Sequence, residues 1–205
     1  MLHEQIDLAI AERESWVLRR QLGISNNRLL WVLACMDERL PVEEALGIKP
    51  GDAHVSRNAG GLVTDDALRS AVLTTNFFGT KEIIVVNHTE CWMMTATNEF
   101  IAKALRAKYP MDSSTLPLDP AIPALGCFPD EKAFTQWFRM FDNVDDTTDK
   151  QVQILRDYPL IPKDVKIHGY VYEVETGRLR KPQKTLTRRV NTPQQMGAKS
   201  KYKED

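Results

Sequence analysis

Two short segments of the sequence carry side chains suited to metal chemistry. In the first, Cys35 is followed by Asp37 and Arg39, and in the second, His88 is followed by Cys91. Two thiolates and one imidazole are ligands that zinc prefers. Three protein ligands leave one coordination position for water, which is the pattern of a catalytic zinc site. A structural zinc site would want a fourth Cys or His.

The remaining cysteine and the absent motifs narrow the chemistry further. Cys127 lies in a proline-rich stretch with no partner motif around it. Three cysteines at wide spacing argue against a secreted disulfide scaffold and predict a reducing, cytoplasmic location. The sequence has no C-x-x-C redox pair, no G-x-G-x-x-G and no P-loop. A zinc site of the catalytic type is therefore favoured over thiol redox chemistry or nucleotide binding.

Asp37 and Arg39 form a predicted dyad beside the metal. An Arg can hold a carboxylate in a bidentate geometry and keep it ionised. Asp37 could then accept a hydrogen bond from zinc-bound hydroxide, or it could bind the metal itself and close the site. Each half of the motif is weak alone, because Cys35 could simply be a small core residue and His88 a satisfied core histidine. The hypothesis depends on the two halves meeting.

The runs that precede the two segments explain how they could meet. Residues 29–34 are continuously apolar, and residues 82–86 are rich in β-branched side chains. Both patterns predict strands buried on two faces of a sheet. If these strands are parallel neighbours, both segments emerge at the carboxyl edge, where sites form in open α/β sheets.

The rest of the chain is predicted to form alternating helices and strands. Patterning predicts helices over residues 2–22, Thr64 to about Phe78, about 94–109, 131–140 and 149–158, and strands over 53–57 and 165–174. This alternation indicates an α/β fold with a mainly parallel sheet flanked by helices. Residues 110–129 contain five prolines and are predicted to form a long loop.

Charged residues are distributed unevenly along the 205-residue chain. Of 27 basic and 28 acidic residues, nine basic and two acidic ones fall in 178–205, which leaves 18 and 26 for the remainder. We therefore predict one domain over residues 1–182 and a basic, extended C-terminal arm over 183–205. No apolar run is long enough to span a membrane. Apart from Tyr202 the arm lacks interleaved aromatics, so docking on an acidic neighbouring subunit is favoured over nucleic-acid binding.

The spacing of C-x-D-x-R and H-x-x-C, about fifty residues apart, resembles the β-class carbonic anhydrase superfamily. Residues 57–61 and 64–70 match its other core stretches. The similarity is closer to the carbon disulfide hydrolase branch, and it covers most of residues 1–182. The segments that carry this closer similarity are 26–28, 73–86, 160–165, 169–176 and 178–182.

This resemblance implies a β-carbonic-anhydrase-like fold with one zinc ion per subunit, held by Cys35, His88 and Cys91. It implies that Asp37 and Arg39 orient the reacting groups. It also implies a homo-oligomer built from dimers, in which the N-terminal helix packs on a neighbouring subunit. The expected reaction is attack of zinc-bound hydroxide on carbon disulfide, giving carbon dioxide and hydrogen sulfide by way of carbonyl sulfide.

One departure from the superfamily pattern keeps alternatives open. Trp92 follows the second cysteine, where members usually have Gly, a residue that accepts backbone angles costly for Trp. Trp92 could narrow or block the site, giving a degenerate zinc-binding member, or it could face the core or a neighbour. A β-class carbonic anhydrase that hydrates carbon dioxide is the other alternative. A small apolar triatomic substrate needs an apolar access path, and candidates for its wall are Phe77, Phe78, Trp92 and Met93, although all four could instead be ordinary core or interface residues. His54 is a candidate proton relay, although a histidine in a strand is usually structural.

Overall fold

The computed structural model describes residues 19–184. The predicted N-terminal helix, apart from its last residues, and the arm beyond Lys184 lie outside the described residues. Within residues 19–184, no helix has the length and apolar character needed to cross a bilayer.

One five-stranded sheet organises the described part of the chain, in the order β2-β1-β3-β4-β5. Its first four members are parallel, and β5 pairs antiparallel with β4 at the edge. The strands are β1 (Leu30–Cys35), β2 (Ala53–Asn58), β3 (Glu82–His88), β4 (Lys166–Glu173) and β5 (Arg178–Arg180). The prediction of a mainly parallel α/β sheet is confirmed.

Helices cover both faces of the sheet. They are α1 (Val42–Leu46), α2 (Asp65–Phe77), α3 (Asn98–Lys108), α4 (Glu131–Trp137) and α5 (Val144–Asp157). Alternate β1 side chains enter two cores, because successive residues of a strand point to opposite faces. Trp31 and Leu33 pack with α2 and α5, whereas Val32 and Ala34 pack with α1 and Met93. The double burial predicted for β1 follows from this arrangement.

Three helices differ from their predicted bounds: α4, predicted over 131–140, ends at Trp137, and two others begin at different residues because of their caps. The helix expected from about residue 94 begins at Asn98, where the Thr97 side chain accepts a hydrogen bond from Phe100 N. The helix expected from 149 begins earlier, at Val144, because the Asn143 side chain caps its first turn. Helix α1 was not predicted, since its five residues are too few to show a period.

The proline-rich stretch 110–129 is a loop, as predicted. It contains the short 3₁₀ turns Ser113–Thr115 and Pro123–Leu125 and one isolated bridge between Pro117 and Cys127. Behind it, Phe128 and Phe134 pack edge to face at 5.5 Å between ring centroids. The loop is thus fastened to α3 and α4 through a small separate core.

Candidate metal centre

Cys35, His88 and Cys91 converge at the carboxyl edge of the sheet. Cys35 is the last residue of β1 and His88 the last of the neighbouring β3. Cys91 follows a turn in which Glu90 has a φ of 53°. The two sulfurs lie 3.9 Å apart, and the three potential ligand atoms lie within 4.8 Å of one another. All three residues are buried.

The His88 ring is oriented as a metal ligand requires. Its Nδ1 lies 2.8 Å from the backbone oxygen of Thr89, which can only accept, so Nδ1 carries the proton. In the neutral ring the lone pair therefore belongs to Nε2, which is buried without any hydrogen-bond partner in the described part of the chain. A buried acceptor without a partner is costly. An ion bound between the sulfurs and Nε2 would satisfy it, and this donor set fits zinc.

A hydrogen bond links the Cys35 and Cys91 side chains. The Cys91 thiol donates to Cys35, and this hydrogen bond lowers the pKa of Cys35 to about 4 against the opposing effect of burial. The pKa of Cys91 is raised, first by the same hydrogen bond to Cys35 and then by burial. Two thiolates this close need a cation between them, so binding of a metal would expel the Cys91 proton.

Asp37 lies beside the cluster and is held by hydrogen bonds from Arg39. Its Oδ2 is 3.8 Å from His88 Nε2. The Arg39 side chain donates to both of its carboxylate oxygens and extends to Glu90, reaching Oε2 at 3.2 Å and the backbone oxygen at 3.1 Å. The hydrogen bond from the Arg39 side chain is the main reason that the pKa of Asp37 is lowered to about 2. Asp37 is therefore an anion held at a fixed angle.

Arg57, to which the sequence reasoning gave no role, braces the loop that carries Cys35 and Asp37. Its Nε donates to Cys35 O at 2.9 Å, and its Nη2 donates to Asp37 O at 2.6 Å and Leu40 O at 3.1 Å. The only sequence signal was its place in the 57–61 stretch. A guanidinium with several donors in one plane suits three converging carbonyls.

Three residues predicted near the metal lie elsewhere in this subunit. Helix α2 ends where β3 begins, so Phe77 and Phe78 lie at the amino edge, opposite the metal centre. The Phe78 ring contacts the ring of His54 at 5.9 Å. His54 is fixed there by Thr74 Oγ1 at 3.2 Å and Ile24 O at 2.9 Å. The expectations of an access wall at Phe77 and Phe78 and of a relay at His54 are therefore wrong within this subunit.

Trp92 is neither strained nor buried in the core. Its φ is not positive, and the positive φ in this turn belongs to Glu90. The side chain is 57% exposed and lines a groove of about 770 Å³, with Met93 and Trp137 among the other lining residues. None of the five candidate site residues lines that groove. The expected backbone cost at Trp92 is therefore absent.

A buried Cys–His–Cys cluster at the carboxyl edge of such a sheet is typical of metal-dependent enzymes of the α/β class. The sequence profile of the carbonic anhydrase family matches residues 30–179, and the chain belongs to the β-carbonic anhydrase family of enzymes. Enzymes of this family are zinc-dependent, in agreement with the donor set.

Individual members of the family differ in how similar their sequences are to this chain. The chain is 54% identical to a carbon disulfide hydrolase of Acidithiobacillus thiooxidans, over 97% of this chain and 99% of that protein. It is 34% identical to β-carbonic anhydrase 1 of Mycobacterium tuberculosis, over 72% of this chain and 78% of that protein. A solved apo form of carbon disulfide hydrolase superposes with a TM-score of 0.76 at 51% identity, covering 96% of this chain and 98% of the other.

Proposed function

We propose that this chain is a zinc-dependent hydrolase that converts carbon disulfide, by way of carbonyl sulfide, to carbon dioxide and hydrogen sulfide. The observation that carries the proposal is the similarity to carbon disulfide hydrolases, which runs over almost the full length of both chains. The similarity to a carbonic anhydrase is lower and covers about three quarters of each chain.

The proposed ligands of one zinc ion per subunit are Cys35 Sγ, His88 Nε2 and Cys91 Sγ. Their support is the buried cluster and the Nε2 without a partner. When bound, zinc would supply a hydroxide nucleophile at neutral pH and would leave one coordination position for it. Hydrolysis then needs no cofactor beyond the ion.

The proposed part of Asp37 is to accept a hydrogen bond from the nucleophile and so direct its free lone pair at the substrate carbon. A carboxylate can do this only while it is ionised and oriented, and Arg39 provides both conditions. Because Arg39 occupies both carboxylate oxygens, it also opposes a move of Asp37 towards the metal position.

The proposed substrate is a small, linear, apolar triatomic molecule. It carries no charge that a side chain could pair with, so discrimination must come from shape and apolar access rather than from ion pairing. The metal centre alone does not distinguish carbon disulfide from carbon dioxide. Hydration of carbon dioxide therefore remains the second candidate, and the 34% identical carbonic anhydrase is the observation in its favour.

Parallel assays test the proposal. Carbon disulfide, carbonyl sulfide and carbon dioxide are supplied to the native protein and to Cys35→Ser, and hydrogen sulfide is measured in the headspace. We expect sulfide from the first two substrates with the native protein and none above background with the variant. Fast bicarbonate formation without sulfide release would overturn the proposal in favour of carbon dioxide hydration.

We further propose a cytoplasmic homo-oligomer built from dimers, in which residues 1–182 form the zinc domain and 183–205 the arm. Support for an interface comes from Trp92 and Trp137, two large apolar side chains that are more than half exposed and line the same groove. Exposed apolar side chains that lie together on a surface are typical of protein–protein contact sites. The last strand of the sheet ends at Arg180, close to the proposed domain boundary.

A further inference from the structure

Beyond these assignments, the geometry points to Asn87 as a positioning residue that fixes the distance between Cys35 and His88; the inference rests on their proposed role as metal ligands. Asn87 directly precedes His88 and is 1% exposed. Its Nδ2 donates to Gly60 O at 2.5 Å and to Gly61 O at 3.2 Å. Its Oδ1 lies 2.9 Å from the Thr148 hydroxyl, whose single proton is shared between Asn87 Oδ1 and Val144 O at 2.8 Å.

The turn that Asn87 holds lies directly on the backbone of Cys35. Gly61 has a φ of 62°, and a Cβ built on it would lie 2.8 Å from Cys35 N and 3.0 Å from both Ala34 C and Val86 O. A side chain at this position would collide with the ends of both strands. The Gly61 backbone therefore acts as a spacer between the strand that ends in Cys35 and the strand that ends in His88.

Hydrogen bonding between β1 and β3 does not itself fix the distance between Cys35 and His88 at the metal-bearing edge. The ladder between β1 and β3 ends at the pair of Ala34 and Val86. Past that point, Cys35 pairs with Asn58 of β2, and His88 pairs with Tyr172 of β4.

The two ligands thus extend beyond the last direct link between their strands. The path through Asn87, the Gly60–Gly61 turn and the Cys35 peptide bridges this gap. Thr148 of helix α5 holds the Asn87 amide in its orientation and so belongs to the same path.

The test compares metal affinity in Asn87→Ala and in the control Asn26→Ala. Asn26 is also buried and also binds backbone, through Leu30 N at 2.8 Å and Leu30 O at 2.9 Å, but at the other end of β1. Zinc dissociation constants are measured by chelator competition on the full chain, together with the visible spectrum of the cobalt-loaded protein and the unfolding of the metal-free protein.

We expect both variants to be less stable, but only Asn87→Ala to bind zinc about 10-fold or more weakly and to change the cobalt spectrum, as loss of groups that orient ligands does. Equal zinc affinity and an unchanged cobalt spectrum in Asn87→Ala would overturn the inference. Failure of the native chain to bind zinc would instead overturn the proposed function.

If Asn87→Ala does not fold, Thr148→Val decides the question. Valine keeps the shape of Thr148 and removes the hydroxyl that orients Asn87. The control is Thr75→Val, whose buried hydroxyl bonds within α2 to Ala71 O at 2.8 Å. We expect weaker zinc binding in Thr148→Val alone; native affinity in both variants would overturn the inference.

Discussion

Arg39 holds both carboxylate oxygens of Asp37, with Nε 3.0 Å from Oδ1 and Nη2 2.8 Å from Oδ2. The backbone N–H of Arg39 adds a third hydrogen bond to Oδ1, also at 3.0 Å. Three donors on one carboxylate leave it little freedom to rotate. The dyad therefore sets the direction in which Asp37 meets the proposed nucleophile.

Arg39→Gln should separate orientation from metal binding. We expect zinc content to stay near that of the native protein, because the proposed ligands are intact, while kcat/KM falls about 10- to 100-fold, as for other groups that orient a metal site. Metal analysis and sulfide release measure the two quantities. Arg69→Gln, which removes an exposed pair with Asp66, is the control and should leave both unchanged. Full turnover in Arg39→Gln would contradict the role given to the dyad.

Removal of the metal should reduce both activity and stability. A chelated, metal-free sample should lose sulfide release and regain it with zinc. Zinc at about 100 times its dissociation constant should stabilise the native chain by about 2.7 kcal/mol. Denaturant unfolding with and without zinc measures this difference. Cys35→Ser should show little of it, and an equal zinc response in that variant would argue against the proposed ligand set.

Trp92→Gly should have little effect on the reaction. The Trp92 side chain lines a groove that no candidate site residue lines, so its loss should change kcat/KM by less than about threefold, under about 0.7 kcal/mol in the barrier. Steady-state kinetics with carbon disulfide measures the change, and Trp92→Phe serves as the milder comparison. A gain of tenfold or more in Trp92→Gly would show that Trp92 blocks access to the metal.

Stability should fall in acid partly because of Asp145. Burial alone would raise the pKa of Asp145, but hydrogen bonds from Arg180 and from the backbone N–H of Gln183 outweigh burial and lower it. A folded-state pKa below the unfolded value of about 3.9 gives stability that is present above that pH. That contribution is lost as pH falls through the folded pKa.

Asp145→Asn should therefore be less stable than the native chain at pH 7, and the difference should shrink between pH 5 and 3. Unfolding by urea at several pH values provides the measurement. Asp66→Asn, at an exposed pair, should show no such convergence. A difference between Asp145→Asn and the native chain that is constant across this range would contradict the assignment.

Deletion of residues 188–205 tests the basic arm. The charge difference between arm and body predicts that the arm docks on an acidic neighbouring subunit, so its removal should reduce the size of the assembly. Size-exclusion chromatography with light scattering measures the mass. An unchanged mass would count against the docking.

The local pattern of apolar residues was enough to predict the strands and the edge of the sheet at which the candidate site lies. The apolar runs before Cys35 and His88 predicted strands, and the alternation of elements predicted the parallel sheet, because burial on two faces imposes a composition that can be read without coordinates. The same reasoning placed both segments with candidate ligands at one edge, where the structure brings Cys35, His88 and Cys91 together.

Other assignments needed the tertiary structure because they depend on direction and distance. The aromatic residues at Phe77 and Phe78 looked suited to the site, but α2 carries them to the opposite edge of the sheet. The exposed position of Trp92 likewise follows from the turn around it.

The roles of Arg57 and Asn87 likewise could not be predicted from the sequence. Their hydrogen-bond partners are backbone carbonyls. Because every residue has a carbonyl, the sequence does not indicate which one accepts the hydrogen bond. A pattern of side chains can therefore predict which groups come together in a candidate metal site. Which residues hold those groups at the right distance is decided only when strands, turns and helices pack in three dimensions.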